Sequence, residues 1–418
     1  MEIVTLTKKN KILKGEISLP ASKSISNRAL IIKHLSHNQQ QLNNLSKSDD
    51  TQLMIQLLDI ISNKQSLVQP TELNCQNAGT VIRFLTAILA ITTKNWILTG
   101  TDRMKERPIG ILVETLSQLG AEINYLEKKG FPPLEIKGKV LKGGPIKIDG
   151  SVSSQFISAL LLIAPKIENG LRLTLTNKIS SRPYVEMTLN LLKHFGINYT
   201  FEGNEIFIQQ QDYKAGEIKI ETDWSAAAYW YEMVAFTKEV DVILKGLHKE
   251  SLQGDSVLAE IYKNFGVKTE FLSEGIKLTK STRLVKQFDF DFTNYPDLAQ
   301  PVIVTCAALG INGTFTGLES LRIKETDRLN ALQAELKKLG FKTELVRGSE
   351  FRVRSFMPGK IKNQKSKIVN TFDDHRMAMA FAPLAMIFDI LQIENPQVVS
   401  KSYPEFWESL QKFGFLIK

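Results

Sequence analysis

One segment near the N-terminus combines a lysine, a hydroxyl and an arginine at a spacing that suits phosphate binding. Lys23, Ser24 and Arg28 lead into an apolar run, and residues four apart share one face of a helix. A helix start also presents unpaired N–H groups and positive partial charge, which attract anions. The segment therefore predicts a phosphate clamp, although a capped helix start with a solvated lysine and arginine explains the same residues equally well.

A second segment places a carboxylate among cations. Lys324 and Arg328 are four residues apart, and Glu325 lies between them, directly before an amphipathic run. A carboxylate in such surroundings can exchange a proton with a bound ligand. A salt-bridged first helical turn is the common alternative.

Three further segments bring cations or acids to the predicted start of a helix, namely Asn77–Thr80, Arg103–Pro108 and Asp373–Arg376. Gly79 would let a ligand approach the backbone closely. Arg376 leads into an apolar run, where a buried charge requires a partner. Taken alone, each segment is more simply explained as a turn, a solvated loop or a helix cap.

A repeat runs through the chain and joins these segments. An amphipathic helix that ends in glycine and is followed by a strand recurs at Gly120, Gly196, Gly266, Gly340 and Gly414, and residues 54–62 resemble a sixth copy without the glycine. Glycine is the usual residue where the chain turns left-handed after a helix. The repeat predicts one amphipathic outer helix in each of six similar units.

A second series of helices runs in step with the first and is apolar on nearly every side, which is typical of buried helices. The segments that begin these helices are 22–24, 77–80, 153–155, 223–225, 295–297 and 373–376. Six units of about 70 residues suit two domains of three, with a cut near 221–225. Chance recurrence of a common helix ending is the alternative.

Composition narrows the classes of function. The net charge of +9 favours an anionic ligand, but a mildly basic surface explains it equally well. Basic stripes interleaved with aromatic residues are missing, so nucleic acid is not expected as a partner. The five histidines lack the spacing of metal ligands, and a site at His375 is disfavoured. Cys75 and Cys306 are predicted to be buried free thiols.

Location is predicted from the same composition. The N-terminus has no basic and apolar leader, and the apolar runs are too short to span a bilayer. A cytoplasmic protein that does not enter a membrane is expected.

The segments together resemble the 5-enolpyruvylshikimate-3-phosphate synthase family of enolpyruvyl transferases. Eight motifs occur in family order from Leu19 to about Trp407: PASKSISNRAL, NAGTVIRFL, RMKERPIG, GSVSSQFISALL, RPYVEMTLNLL, RIKETDRL, DDHRMAMAFA and KSYPEF. The resemblance implies that the 5-hydroxyl of 3-phosphoshikimate adds to C2 of phosphoenolpyruvate, and that phosphate leaves a tetrahedral intermediate. This reaction belongs to the shikimate pathway to chorismate and the aromatic amino acids, and it is the target of glyphosate.

The resemblance also implies a fold. The expected class is α/β (mixed α+β), with two similar domains of three βαβαββ units and buried helices, as in an inside-out α/β barrel. The domains would comprise residues 18–223, and residues 1–17 with 224–418, joined by a double-crossover hinge. The active site would lie in the cleft between the domains. A monomer without metal or organic cofactor is expected.

Residue roles follow from the motifs by resemblance. Asp297 would take the proton of the 5-hydroxyl, Glu325 would exchange a proton with the C3 methylene, and Lys23 would touch both substrates. The residues implied to bind 3-phosphoshikimate are Lys23, Ser24, Arg28, Ser153, Ser154, Gln155, Ser181, Tyr184, Asp297, Ser320 and Lys324. The residues implied to bind phosphoenolpyruvate are Lys23, Gly79, Arg107, Gln155, Arg328, Arg376 and Lys401.

Three positions depart from the family pattern. Phe84 stands where proline is common, Ser320 where asparagine often contacts the substrate, and Trp224 where a small residue is usual. The ordinary glycine at position 79 favours sensitivity to glyphosate, whereas the departure at Phe84 weighs against it.

Two other functions remain to be weighed. The sister enzyme that acts on a UDP-linked amino sugar carries a reactive cysteine before its Arg-Pro, and Thr101–Glu106 contains none. A non-catalytic binding protein on the same fold would be expected to lose Lys23, Asp297 or Glu325, and all three are present.

Overall fold

Short strands alternate with helices along the chain, of which the computed structural model describes residues 2–63, 70–346, 348–354 and 367–418. The strands are β1 (Ile3–Thr7), β2 (Ile12–Ser18), β3 (Gln40–Asn43), β4 (Thr71–Asn74), β5 (Asn95–Thr99), β6 (Glu122–Tyr125), β7 (Leu134–Lys137), β8 (Lys142–Asp149), β9 (Glu168–Thr176), β10 (Tyr199–Glu202), β11 (Glu205–Ile208), β12 (Gly216–Lys219), β13 (Glu239–Lys245), β14 (Val267–Phe271), β15 (Gly275–Lys280), β16 (Phe290–Asp291), β17 (Gly313–Thr316), β18 (Lys342–Val346), β19 (Glu350–Arg354), β20 (Lys367–Val369), β21 (Leu391–Glu394) and β22 (Leu416–Ile417).

The α-helices are α1 (Lys23–Leu35), α2 (Asp49–Asn63), α3 (Gly79–Ile91), α4 (Asp102–Lys105), α5 (Gly110–Gln118), α6 (Ser154–Ile163), α7 (Arg182–His194), α8 (Trp224–Phe236), α9 (Leu258–Tyr262), α10 (Ala299–Leu309), α11 (Arg328–Lys338), α12 (His375–Phe381) and α13 (Phe406–Lys412). Short 3-10 turns at Gly254–Val257, Pro296–Leu298, Glu319–Ile323 and Pro396–Lys401 carry side chains discussed below. Within the described ranges, no helix is long and apolar enough to cross a membrane.

The contacts divide the chain into two compact units. The first unit comprises Met1–Ser22, Lys47–Asp49 and Glu221–Lys418, and the second comprises Lys23–Ser46 and Asp50–Ile220. The domain bounds 18–223, and 1–17 with 224–418, stay a prediction. The α/β class itself is confirmed.

Five four-stranded sheets share one plan, in which a parallel pair is extended by two antiparallel strands. Their orders are β4-β5-β7-β6 and β10-β11-β9-β8 in the second unit, and β14-β15-β13-β2, β16-β17-β19-β18 and β20-β21-β1-β22 in the first. In the sheet that begins with β4, the chain runs β4-α3-β5-α5-β6-β7, apart from the short helix α4. A buried helix therefore connects the parallel strands, and an outer helix leads to the antiparallel hairpin.

Two parallel pairs join strands that are far apart in the sequence. In the first unit β2 pairs with β13, with Ile12 opposite Glu239 and Ser18 opposite Lys245. In the second unit β12 pairs with β3 over four residue pairs. Strand β2 thus completes the sheet that follows α8, while β12 forms a two-stranded sheet with β3, the strand that follows α1.

The helices predicted to be buried are buried. Eleven of the 13 residues of α3 and 12 of the 13 residues of α8 are inaccessible to solvent. In the second unit α3 packs on α6, and in the first unit α8 and α12 pack on α10. A helix without a polar face gains its stability from such packing, because propensity alone is weak.

The outer helices end at the predicted glycines. Gly120, Gly196, Gly266, Gly340 and Gly414 all have positive φ, between 74° and 95°. Any other residue would be strained in this conformation, which explains the regular recurrence of glycine. The predicted sixth copy, residues 54–62, lies within α2. Cys75 and Cys306 are buried and free, as predicted.

The core of the first unit contains a buried glutamate that takes part in no helix cap and no ion pair among the described residues. Glu232 of α8 is 0% exposed, and neither of its carboxyl oxygens has a hydrogen-bond partner within the described part of the chain. Burial raises the pKa of Glu232 well above its ordinary value, because a lone charge is costly in an apolar interior. The folded chain therefore holds this proton at pH values where the unfolded chain releases it.

We expect Glu232→Gln to remove part of the pH dependence of stability. Below the ordinary pKa of glutamate both states of the wild type are protonated; above it only the unfolded state ionises, so the free energy of unfolding falls by up to about 1.4 kcal/mol per pH unit. Glutamine cannot ionise, so the free energy of unfolding of the variant should increase relative to that of the wild type between about pH 5 and pH 8. Denaturant unfolding at both pH values measures the difference.

The matched control is Glu239→Gln, which changes a glutamate with 60% of its side chain exposed. It should follow the wild type at both pH values. An equal pH dependence of wild type and Glu232→Gln would show that Glu232 does not retain its proton.

Candidate active site

Lys23 begins α1 in the second unit and is held by an acid of the next helix. Its Nζ lies 3.0 Å from Oδ2 of Asp50, and 14% of the lysine side chain is exposed. Asp50 sits in the first turn of α2, where the helix dipole favours a carboxylate. The pair fixes the ammonium group at the start of α1, and Ser24 beside it is half-buried.

Arg28 lies one turn further along α1 and is almost fully buried. Its Nε donates to Oγ1 of Thr188 at 2.7 Å, Nη2 donates to Oγ of Ser158 at 3.0 Å, and Nη1 donates to the carbonyl oxygen of Ser24 at 2.9 Å. Burial lowers the pKa of Arg28 to about 10, so the guanidinium stays charged at neutral pH. Because these three acceptors are neutral, none of them cancels the positive charge.

Phe84, one of the departures from the family pattern, packs against this cation. The guanidinium carbon of Arg28 lies 5.3 Å from the centre of the Phe84 ring. A ring face at this distance stabilises a cation modestly. The phenylalanine thus supports Arg28 from within the core.

The start of α3 brings two guanidinium groups to Gly79. A Cβ at position 79 would lie 2.5 Å from Nη2 of Arg107 and 2.6 Å from Nη1 of Arg83. Arg107 also donates to the backbone and side-chain oxygens of Asn77, at 3.1 Å in both cases. The glycine is therefore required by close packing of cations. Arg83 was not among the predicted residues, and an arginine inside an otherwise apolar helix was the signal for it.

The predicted polar residues of α6 and α7 lie at the first turns of these helices. Ser153 is the N-cap of α6 and accepts from the backbone N–H of Gln155 at 3.3 Å. Gln155 donates to Oγ1 of Thr80 at 3.2 Å and so ties α6 to α3. Ser154 is the first residue of α6. Ser153 therefore fits the simple capping interpretation as well as the predicted one.

Ser181 precedes α7 in a strained conformation. Its φ of 56° and ψ of 41° lie in the left-handed region, and its hydroxyl does not cap the helix. Such strain in a residue other than glycine often marks a functional position. Tyr184, in the next turn, accepts a weak hydrogen bond from Arg28 at its carbonyl oxygen, at 3.4 Å.

Arg328 is the centre of the charged cluster in the first unit. Its Nε lies 2.7 Å from Oδ2 of Asp374, Nη2 lies 2.9 Å from Oε2 of Glu325, and Nη1 lies 3.4 Å from Oδ1 of Asp297. The residue is 1% exposed. Burial works against its charge, but Asp374 and Glu325 together hold the pKa of Arg328 above its ordinary value.

Arg376 forms a second link to Asp297. Its Nη2 lies 2.8 Å from Oδ2 of Asp297, and its backbone N–H donates to Oδ1 of Asp374, the N-cap of α12, at 2.9 Å. Burial raises the pKa of Asp297, but Arg376, Lys324 and Arg328 outweigh burial and hold the pKa well below its usual range. Asp297 is therefore ionised at neutral pH. Arg376 has the partner that its apolar surroundings require.

Glu325 lies between two cations. Besides Arg328, its carboxylate faces Lys401, whose Nζ lies 3.4 Å from Oε1. Glu325 is therefore a carboxylate among cations. The prediction of a salt-bridged helical turn, with Lys324 and Arg328 on one helix face, is wrong, because α11 begins only at Arg328 and Lys324 is extended.

The other two predicted residues lie just before Glu325. Lys324 follows the 3-10 turn Glu319–Ile323 and acts on Asp297 through its charge. Ser320 lies within that turn, and its Oγ is buried without a hydrogen-bond partner in the described residues. Sequence reasoning had treated Asp374 only as a cap, whereas the structure makes it a direct partner of Arg328 as well. Across the described ranges, no three His, Cys, Asp or Glu side chains group so that they could hold a metal ion.

Known proteins resemble this chain over almost its whole length. It is 47% identical over 408 residues to a 3-phosphoshikimate 1-carboxyvinyltransferase of Bacteroides fragilis (strain YCH46), with 97% of each chain covered. A protein of the same name from Sulfurovum sp. (strain NBC37-1) is 36% identical over 437 residues, which cover 99% of this chain and 100% of the relative.

A solved structure shares the fold. The EPSP synthase of Acinetobacter baumannii superposes with a TM-score of 0.79 at 21% identity, and the match covers 100% of both chains. At this identity the likeness establishes the fold alone.

The family follows from a broader comparison. The model of the family EPSP synthase (3-phosphoshikimate 1-carboxyvinyltransferase) matches residues 7–410. That span includes the buried helix starts and the charged cluster around Arg328 described above. The chain belongs to the EPSP synthase family.

Proposed function

We propose that this chain transfers the enolpyruvyl group of phosphoenolpyruvate to the 5-hydroxyl of 3-phosphoshikimate and releases phosphate. The observation that carries the proposal is the pairing of two carboxylates, Asp297 and Glu325, with one buried guanidinium, that of Arg328. A reaction that moves two protons at two separate atoms requires two such groups. The product would serve the synthesis of chorismate and the aromatic amino acids.

The second unit would hold 3-phosphoshikimate through the starts of α1, α6 and α7. Arg28 supports this role, because the acceptors in the contacts described above are neutral oxygens, so its positive charge remains available to a phosphate. Ser153 and the strained Ser181 lie at helix starts whose N–H groups favour anions. The residues proposed to bind this substrate are Lys23, Ser24, Arg28, Ser153, Ser154, Gln155, Ser181, Tyr184, Asp297, Ser320 and Lys324.

Phosphoenolpyruvate carries a phosphate and a carboxylate, and it would need several cations. The residues proposed to bind it are Lys23, Gly79, Arg107, Gln155, Arg328, Arg376 and Lys401. Gly79 supports this role because the absence of a side chain leaves two guanidinium groups close to a helix start. Repulsion between two phosphorylated substrates is offset only by a high density of positive charge.

The proposed reaction has two steps, an addition and an elimination, in which every proton is accounted for. In the addition, the 5-oxygen bonds to C2 of phosphoenolpyruvate, Asp297 takes the hydroxyl proton, and Glu325, which enters this step as the protonated acid, delivers its proton to C3. In the elimination, Glu325 takes a proton back from C3, the C2–O bond to phosphate breaks, and the double bond forms again. The departing phosphate takes up the proton held by Asp297, so both carboxyl groups return to their initial states.

Substrate binding would itself strengthen Asp297 as a base. The cations that hold its pKa low, Arg376, Lys324 and Arg328, are among the groups proposed to bind the anionic substrates. Negative charge brought to these cations offsets their effect on Asp297, so its pKa rises towards a value suited to accepting a proton. The base would therefore become effective once substrate is bound.

The proposal includes the setting of the reaction. The enzyme would act on two small molecules as a monomer in the cytoplasm, without a metal or an organic cofactor. Nucleic acids and membranes would not be partners.

The first test is the joint requirement for both substrates. We expect purified protein to release inorganic phosphate only when phosphoenolpyruvate and 3-phosphoshikimate are both present, because the attack requires the hydroxyl of one at C2 of the other. A colorimetric phosphate assay with each substrate omitted in turn measures this. Folded protein that releases no phosphate from the pair would refute the proposed function.

The second test concerns the two carboxylates. We expect Asp297→Asn and Glu325→Gln to lower kcat by about 100-fold or more, with a smaller change in KM, because each variant loses a group that transfers a proton in the transition state. Glu344→Gln, a change at a side chain that is 56% exposed in the first unit, should keep kcat. A residue whose variant keeps the wild-type kcat has no acid–base role.

The third test probes Gly79. We expect Gly79→Ala to raise KM for phosphoenolpyruvate by about tenfold, because the new methyl group would displace the guanidinium groups of Arg83 and Arg107. Gly216→Ala is the matched control, since its Cβ would make ordinary contacts of 3.5 Å with Phe195. If KM for phosphoenolpyruvate does not change in Gly79→Ala, this helix start is not part of its binding site.

A further inference from the structure

A third acid, Asp255, is buried in the first unit near the charged cluster and has no part in the proposed chemistry. It lies in the 3-10 turn Gly254–Val257 and is 3% exposed. Oδ2 accepts a hydrogen bond from Oγ of Ser225. Oδ1 is buried and has no hydrogen-bond partner in the part of the chain that the structure describes. A buried carboxyl oxygen without a donor favours the protonated acid.

The position of Asp255 is fixed by the loop that precedes it. Gln253 is 4% exposed and accepts from the backbone N–H of Trp224 at 3.0 Å. It also donates to the carbonyl oxygen of Thr222 at 2.8 Å. These bonds dock the loop on the start of α8, where Ser225 is located. Asp255 is therefore held against the helix start and is not a mobile surface acid.

Charged groups of three other elements act electrostatically on Asp255. Asp297 belongs to the turn before α10, Arg376 belongs to α12, and Asp223 caps α8 by accepting from the N–H of Ser225 at 2.8 Å. Burial and the negative charge of Asp297 raise the pKa of Asp255 to about 7, against the hydrogen bond from Ser225 and the charge of Arg376. The charge of Asp255 thus changes near neutral pH, while Asp297 stays ionised.

Ionisation of Asp255 would change what Arg376 can do. The guanidinium of Arg376 already forms an ion pair with Asp297, at 2.8 Å between Nη2 and Oδ2. A second negative charge nearby lowers the positive potential that Arg376 offers to an anionic ligand. The neutral acid keeps one carboxylate, Asp297, opposite Arg376.

We propose that Asp255 is a positioning residue whose neutral form leaves Arg376 able to bind the anion of phosphoenolpyruvate, and whose ionisation weakens that binding. The inference rests on the proposed function, because it assigns Arg376 to phosphoenolpyruvate. Ionisation of Asp255 should change KM and leave kcat unchanged, because Asp255 acts through Arg376 and does not reach the reacting atoms.

The first experiment compares Asp255→Asn with the wild type over a pH series. Asparagine has nearly the same shape but cannot ionise, so KM for phosphoenolpyruvate in the wild type should rise relative to the variant by about three- to tenfold between about pH 6 and pH 8.5. Ionisation of the substrate affects both enzymes equally, so its effect cancels when the two KM values are divided at each pH. The kcat ratio should stay constant across the series.

A second variant shifts the titration without removing it. Ser225→Ala deletes the hydroxyl that stabilises the ionised form of Asp255, so the rise in KM should move to higher pH. Glu260→Gln is the matched control, since this glutamate lies on the adjacent helix α9 with 69% of its side chain exposed. Its KM should follow the wild type throughout.

The outcomes separate this inference from the proposed function. Two results with an active enzyme would overturn the role of Asp255 and leave the proposed function intact. One is a ratio of wild-type KM to Asp255→Asn KM that does not change with pH. The other is a rise in KM that occurs at the same pH in Ser225→Ala as in the wild type. If the wild type shows no turnover, the proposed function fails, and calorimetric titration with phosphoenolpyruvate over the same pH series still tests whether Asp255 weakens anion binding. Equal pH dependence of affinity in wild type and Asp255→Asn would then refute the inference.

Discussion

The charged cluster of the first unit depends on one buried guanidinium, that of Arg328. It contacts Asp374, Glu325 and Asp297, three carboxylates that would otherwise repel one another in a poorly solvated place. Removal of one partner from a buried ion pair costs about 3–5 kcal/mol, because the charge left behind is neither solvated nor paired. Arg328 thus allows three carboxylates to lie close together in the folded chain.

The starts of the buried helices stabilise buried charge in the same way at several places in the fold. Each buried helix is largely apolar and has polar groups at its first turn, where backbone N–H groups donate to capping oxygens and attract anions. Asp223, Ser153 and Asp374 cap three of these helices in the same way, each through a side-chain oxygen to a backbone N–H. The same arrangement therefore stabilises all three helix starts.

Much of the site was predictable because its residues are local in sequence. Lys23, Ser24 and Arg28 are neighbours on one helix, where Ser24 and Arg28 share a face by helical spacing, and Glu325 precedes Arg328 by only three residues. The glycines after the outer helices were equally predictable, since only a left-handed residue ends such a helix without strain. By contrast, Asp374 was seen only as a cap, because its contact with Arg328 spans 46 residues.

The sequence by itself determined the helices, their buried or amphipathic character, and the family, since these depend on residue types at short, regular spacings. Only the tertiary structure decided which charges meet. The pairing of Arg376 with Asp297, the contact of Arg28 with Thr188 of α7, and the placement of Asp255 near Asp297 all join segments distant in the chain. Such contacts depend on how helices and sheets pack, and the energy of a buried charge depends on all its neighbours at once.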